Sequence, residues 1–268
     1  MISELSKEEI QELSTEQLSS RMDALLEANE IERYGSQAHT LHRPSVREIL
    51  NTKHVQNMSI EKQKAICHLV FNTFLQMEYS NVASAASNIL VYGPNYIEHK
   101  SWTSVKIQVN RSALIQFNII SSRITMECFM ELLHYLGEGE RIRAKKSTFQ
   151  SFKKWLNNPQ NPFSYFATHI LKAFVFDRNF RTPEVHASSR LSSHVLQMKV
   201  PTTEDNNSSF ELLNVMLNVW HPLVDILNNG KAYSIVGKEE DFKWLESYLR
   251  DDEEEKAQFL KSIFEQMK

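Results

Sequence analysis

The sequence predicts an all-α fold: a helical bundle of long helices with helical N- and C-terminal extensions. Three observations carry this. Apolar residues recur at helical spacing along most of the 268 residues. Only 6 Gly and 7 Pro occur, too few for a turn-rich β protein. The helical stretches are long and separated by recognisable start and stop signals. With 41% apolar and 24% charged residues the composition is ordinary for a soluble globular protein. The length suffices for one large core or two small ones.

Residues 6–33 read as a polar amphipathic helix with Leu13, Leu18, Met22, Leu25, Leu26 and Ile31 as its apolar set. A connector follows over 34–43, then a short helix over 45–51. Ser59, with Glu61 and Lys62 behind it, opens a long helix through Leu90, which Gly93-Pro94 stops. A second long helix covers 103–136. Its Ile115, Ile119, Ile120, Ile124, Phe129, Leu132 and Leu133 supply more apolar surface than one stripe needs, which predicts a central position. Its first residues also alternate like a strand. Gly137-Glu-Gly139 ends it. Ser147 can cap a helix over 148–157. Residues 157–162 form a loop, and 163–178 an aromatic helix. Further helices are expected over 182–198, 209–228, 238–250 and 252–267, with Tyr233–Val236 as a short extended piece. The expected organisation is an acidic N-terminal extension over 1–58, the main bundle over 59–200 and an acidic C-terminal segment over 201–268.

The net charge of −3 hides a marked layout. Residues 1–33 carry −6, residues 34–140 +1, residues 141–200 +9 and residues 201–268 −7. The basic block holds Arg141, Arg143, Lys145, Lys146, Lys153, Lys154, Lys172, Arg178, Arg181 and Arg190. Clustered positive charge attracts polyanions and steers RNA. Packing of the same block against the acidic ends would instead neutralise it within the fold.

Within this block lies Arg181-Thr-Pro-Glu-Val-His186. Thr182 is a good N-cap, Pro183 suits the first helical position, and Glu184 complements the helix dipole. Free N–H groups at a helix start attract phosphate, and an Arg beside them can grip it through two hydrogen bonds. A His in the first turn can pass protons near neutral pH. Spacing alone is weak: 12 Arg and 10 His give about 1.3 chance matches to Arg, four to six residues, His. Three occur, Arg33–His39, Arg47–His54 and Arg181–His186, and only the last joins a helix start to a basic neighbourhood. Read from the residues alone, two accounts stand: an anion clamp with a proton shuttle, or a surface arginine and an ordinarily hydrogen-bonded helix histidine.

Other chemistries find little support. No HExxH, CxxC or His/Cys cluster points to a metal site, and no Walker or GxGxxG motif to a nucleotide loop. No cofactor is expected. Cys67 and Cys128 sit in apolar helical patterns and read as buried thiols rather than a disulfide. Cys67 neighbours His68, but adjacent helix residues point about 100° apart. The N-terminus MISELSKEEIQEL lacks the features of a signal peptide, and no apolar run approaches the ~18 residues of a membrane span. A cytoplasmic protein without membrane contact is expected.

The stretch FRTPEVH (180–186), in its helical context, resembles the HEPN superfamily (higher eukaryotes and prokaryotes nucleotide-binding). SSRITMECFMELLHYL (121–136) and KSTFQSFKKWL (147–157) also resemble poorly characterised bacterial members. The resemblance covers residues 59–200. It implies a homodimer in which Arg181 binds phosphate and His186 transfers protons, cleaving RNA without a metal in defence or toxin–antitoxin biology. Thr182 and Glu184 would support the pair, and Arg141, Arg143, Lys145, Lys146, Lys153, Lys154, Arg178 and Arg190 would hold RNA. Non-catalytic relatives imply the alternative: a helical module that binds nucleotide, RNA or a protein partner such as an antitoxin.

Overall fold

The computed structural model describes residues 4–34, 43–92, 105–142, 148–156, 158, 160–167, 170, 196 and 219–232. The fold is all-α, and no strand occurs among the described residues. Among the described residues the helices are α1 (Lys7–Glu12), α2 (Thr15–Tyr34), α3 (Val46–Leu50), α4 (Lys53–Gln56), α5 (Ile60–Tyr92), α6 (Val105–Glu138), α7 (Thr148–Leu156) and α8 (Trp220–Asn229), with a 3-10 turn at Pro162–Phe166 before α8.

Capping chemistry sets the N-terminal boundaries. Ser6 and Glu9 form a capping box at α1. Ser14 and Gln17 repeat it: the Gln17 N–H donates to Ser14 Oγ at 3.2 Å, and the Ser14 N–H to Gln17 Oε1 at 2.9 Å. This second box breaks the single helix expected over 6–33 into α1 and α2. Asp23 of α2 then caps α3, accepting from the Val46 N–H at 2.7 Å and the Arg47 N–H at 3.1 Å. Two donors at the start of α3 are thereby satisfied by a carboxylate well placed for the helix dipole.

Ser59 accepts from the Lys62 N–H at the start of α5, as its position suggests. The strand-like opening of α6 is helical from Val105. Gly137 continues the helix, and Gly139, at φ +70°, ends it. Beyond α7 the chain makes a 3-10 turn capped by Asn161, which accepts from the Phe163 N–H at 3.0 Å. The aromatic helix expected from residue 163 therefore starts in a tighter winding. Pro222 sits in the first turn of α8, where its missing N–H has no helical partner to lose. Gly230, at φ +74°, closes α8 with its N–H on Ile226 O.

Residues fall into two compact units. One comprises 1–71, 129–171 and 218–268; the other comprises 72–128 and 172–217. The first has an aromatic interior. Phe129 meets Phe166 edge-on at 5.7 Å between ring centres and Trp220 at 5.3 Å, and all three rings are buried. Trp155 lies against Phe152, Phe163 and His134, and donates from Nε1 to Glu138 at 2.6 Å. Edge-to-face packing uses the ring quadrupoles as well as apolar burial.

The second unit is organised differently. Between α5 and α6 lies a polar seam: the Ser80 hydroxyl donates to Asn118 Oδ1 at 2.5 Å and lies 2.7 Å from Ser122 Oγ. Ser121 and Thr125 are buried as well, and Thr125 donates to Ser121 O. On the opposite side of α6, Val109, Ala113, Phe117, Ile120 and Ile124 are exposed. In this stretch α6 buries polar residues beside Ile115 and Ile119 and leaves a second apolar stripe exposed.

Candidate functional site

Arg181, Thr182, Glu184 and His186 lie outside the described residues, as do Arg143, Lys145, Lys146, Arg178 and Arg190. Of the expected RNA-holding cations, Arg141, Lys153 and Lys154 are described. Lys153 and Lys154 occupy the last turn of α7, where positive charge suits the helix dipole. Phe152 and Leu156 turn the other side of that helix into the core, so Lys154 is exposed and Lys153 half-buried.

Arg141 follows the end of α6 and is 70% exposed, its Nε 3.9 Å from Glu131 Oε1. At that length and exposure the ion pair is weak. Glu131 also accepts from the Ile142 N–H at 3.4 Å, which holds the segment after the Gly139 turn. His134 Nδ1 hydrogen-bonds Glu140 O at 2.9 Å and tethers the same turn.

The fold brings cations from α5 to Arg141. His68 is near enough to Arg141 and Lys64 for both to act on its imidazole. Partial burial, then the Arg141 and Lys64 charges, hold its pKa below the ordinary value of 6.5, favouring the neutral ring. The ring is exposed, so solvent screens these effects. Lys62 packs against Gly139, and Lys64 donates to Gln11 O at 3.0 Å. Residues Lys62, Lys64, His68 and Arg141 thus gather around the start of α5 and the end of α6. The linear charge layout hid this group, since residues 34–140 sum to only +1. Helical spacing offers one signal: positions 64 and 68 share a face of α5. Such a surface can attract a phosphate-bearing ligand by charge.

Cys67 is not a reactive thiol. Cys67 is fully buried, and burial followed by the Asp23 charge pushes its thiol up to about 12 against an opposing effect of Lys64. A thiol so raised is neither nucleophile nor metal ligand near neutral pH. Cys128 is half-buried rather than buried as expected, and its Sγ accepts from Asn72 Nδ2 at 3.2 Å. Both are free.

Among the described residues, no group of three or more His, Cys, Asp or Glu could hold a metal ion. No helix among them is long and apolar enough to cross a membrane. Comparison with family models, with curated proteins and with solved structures finds no match to this chain.

Proposed function

We propose that the chain is a HEPN-like, metal-independent endoribonuclease acting as a homodimer in defence or toxin–antitoxin biology. The observation that carries this reading is Arg181-Thr-Pro-Glu-Val-His186, a helix-start signal between an arginine and a histidine inside the +9 block. The all-α architecture supports it, because this motif belongs to helical proteins. Exposed Arg141 and Lys154 add positive surface for a polyanion.

In this reading His186 takes the proton of an RNA 2′-OH. The 2′ oxygen bonds to phosphorus, the P–O5′ bond breaks, and a histidine proton goes to the departing 5′ oxygen. Arg181 stabilises the extra negative charge on the pentavalent phosphorus. The products are a 2′,3′-cyclic phosphate and a 5′-OH.

Thr182 and Pro183 favour a second reading. Nuclease members commonly carry Asn, Asp or His after the arginine, and a Pro is untypical of a motif carried in mid-helix. The second reading is a non-catalytic module that binds nucleotide, RNA or a protein partner such as an antitoxin.

Incubation of mixed-sequence RNA with excess EDTA separates the two. Wild type is expected to cleave and the Arg181→Ala/His186→Ala double variant to be inert. Cleavage undiminished in His186→Ala would end the nuclease mechanism. Binding without turnover would establish the second reading.

A further inference from the structure

Asn229 is the last residue of α8, and Gly230 follows it in the only Asn-Gly step of the chain. Such a pair can react with itself. The glycine nitrogen can approach Cγ of the asparagine amide because no Cβ obstructs it. Every other asparagine precedes a residue that carries a side chain. Asn229 and Gly230 are both exposed, so water reaches them.

The fold holds this reaction back. The Gly230 N–H donates to Ile226 O at 2.8 Å, which engages the attacking nitrogen and retains its proton. Asn229 is helical, and ring closure needs its ψ turned away from the helical value. Gly230 stands at φ +74°, the left-handed conformation of a helix cap. The cap must therefore open before the ring can close, and a helix end opens at lower cost than the whole fold.

The same turn has a second task. Thr52 makes no side-chain bond at the start of α4, and Asn228 Oδ1 accepts from the Lys53 N–H there at 3.1 Å. The end of α8 thus satisfies a donor that α4 would otherwise leave open, and α4 in turn holds the end of α8. We propose that Asn229-Gly230 is a self-modification site whose rate is set by the α8 cap and its tie to α4.

In the reaction the Gly230 nitrogen gives its proton to solvent and bonds to Asn229 Cγ. The C–N bond of the side-chain amide breaks, and ammonia leaves with a proton from water. The five-membered imide then takes up water. Opening at the side-chain carbonyl leaves an aspartate. Opening at the main-chain carbonyl leaves an isoaspartate, whose backbone is one CH2 longer. Either product adds negative charge at the C-terminal end of α8, where the helix dipole disfavours it. The longer backbone also moves the Gly230 N–H out of register with Ile226 O. The change is one-way, and it loosens the turn that carries Asn228. The site stands apart from Arg181 and His186, so no ribonuclease result bears on it.

The full chain, incubated at mildly alkaline pH and then digested, is read by mass spectrometry, with isoaspartate separated by chromatography. In guanidinium chloride, position 229 is expected to be the first asparagine converted. In the native chain its rate is expected to fall at least about tenfold, the factor for a cap opening that costs about 1.4 kcal/mol. Conversion first at another asparagine in denaturant overturns the site. Equal rates with and without denaturant overturn the gate.

Asn228→Ala removes the tie to Lys53 and is expected to bring the native and denatured rates closer together. An unchanged ratio overturns the part given to α4. Hydrogen exchange of the Gly230 amide needs no variant: its protection in wild type is expected to match the native slowing within about tenfold. An unprotected amide overturns the gate.

Discussion

The Ser80 hydroxyl donates to Asn118 Oδ1 at 2.5 Å, joining α5 to α6 where both residues are buried. Ser122, one turn further along α6, lies within hydrogen-bonding distance of the same serine. A polar contact in such surroundings does more than add attraction. It makes every alternative register of the two helices leave a buried polar group without its partner.

Asn118→Ala is accordingly expected to destabilise the protein by about 1–3 kcal/mol, the usual cost of orphaning a buried polar partner. Ser80→Ala should cost less. The double variant should lose less than the sum of the two, because the contact between them is already lost in either single variant. Urea unfolding of all four proteins checks this. Strict additivity would mean that the contact carries no coupling.

Gly137→Ala should lower stability even though alanine is the better helix former by about 1 kcal/mol. A Cβ at residue 137 would stand 2.5 Å from Cζ2 of the Trp155 ring and 3.5 Å from Phe163. Trp155 is held by its bond to Glu138 and cannot readily retreat. The expected net loss is about 1–3 kcal/mol, typical of overpacking, seen as a lower thermal midpoint. An unchanged or raised midpoint would show that the indole can shift aside.

His68 should titrate below 6.5 by NMR, and Arg141→Ala should move its midpoint up. The sign for stability follows. A folded-state pKa below the unfolded one means that the unfolded chain binds the extra proton. The stability from this residue is therefore present above about 6.5 and lost as pH falls through the folded value. His68→Gln should flatten part of the decline in thermal midpoint between about pH 7 and pH 5. A slope identical to wild type would exclude His68 as a contributor.

The two thiols should differ in rate. Cys67, buried and raised to about 12, should resist an alkylating reagent until the protein unfolds. Cys128, half-buried, should react first in the folded state. Mass spectrometry of partly alkylated protein reads the order directly, and equal rates would contradict the burial difference.

Much of the helical layout is written in local signals. Ser59, Gly139 and the apolar spacing of α5 fix boundaries that neighbouring residues alone decide. The split between α1 and α2 was equally local, since Ser14 and Gln17 spell a capping box, but apolar residues at helical spacing run straight through it. The orientation of α6 was not local at all. Ile120 and Ile124 look like core by composition, and Ser121, Ser122 and Asn118 look like surface, yet the structure exchanges them. The matching Ser80 on a distant helix helps to make that exchange favourable. Likewise, nothing near Arg141 in sequence announces Lys64 and His68 as its neighbours. Of the candidate pair itself, the sequence supplies the Arg181–His186 spacing and the helix-start signal, and both residues lie outside the described part of the structure.

The interior around Phe129 draws on stretches of chain far apart in synthesis. The Lys53 N–H donates to Asn228 Oδ1, a contact spanning 175 residues, and Trp220 closes against Phe129. A growing chain therefore emerges with Phe129 made and its tryptophan partner still about 90 residues from being translated. During that interval the aromatic face is exposed, as is common for folds built from distant contacts. Ribosome pausing before codon 220 would lengthen the exposure, so the timing of translation bears on whether this protein folds or aggregates.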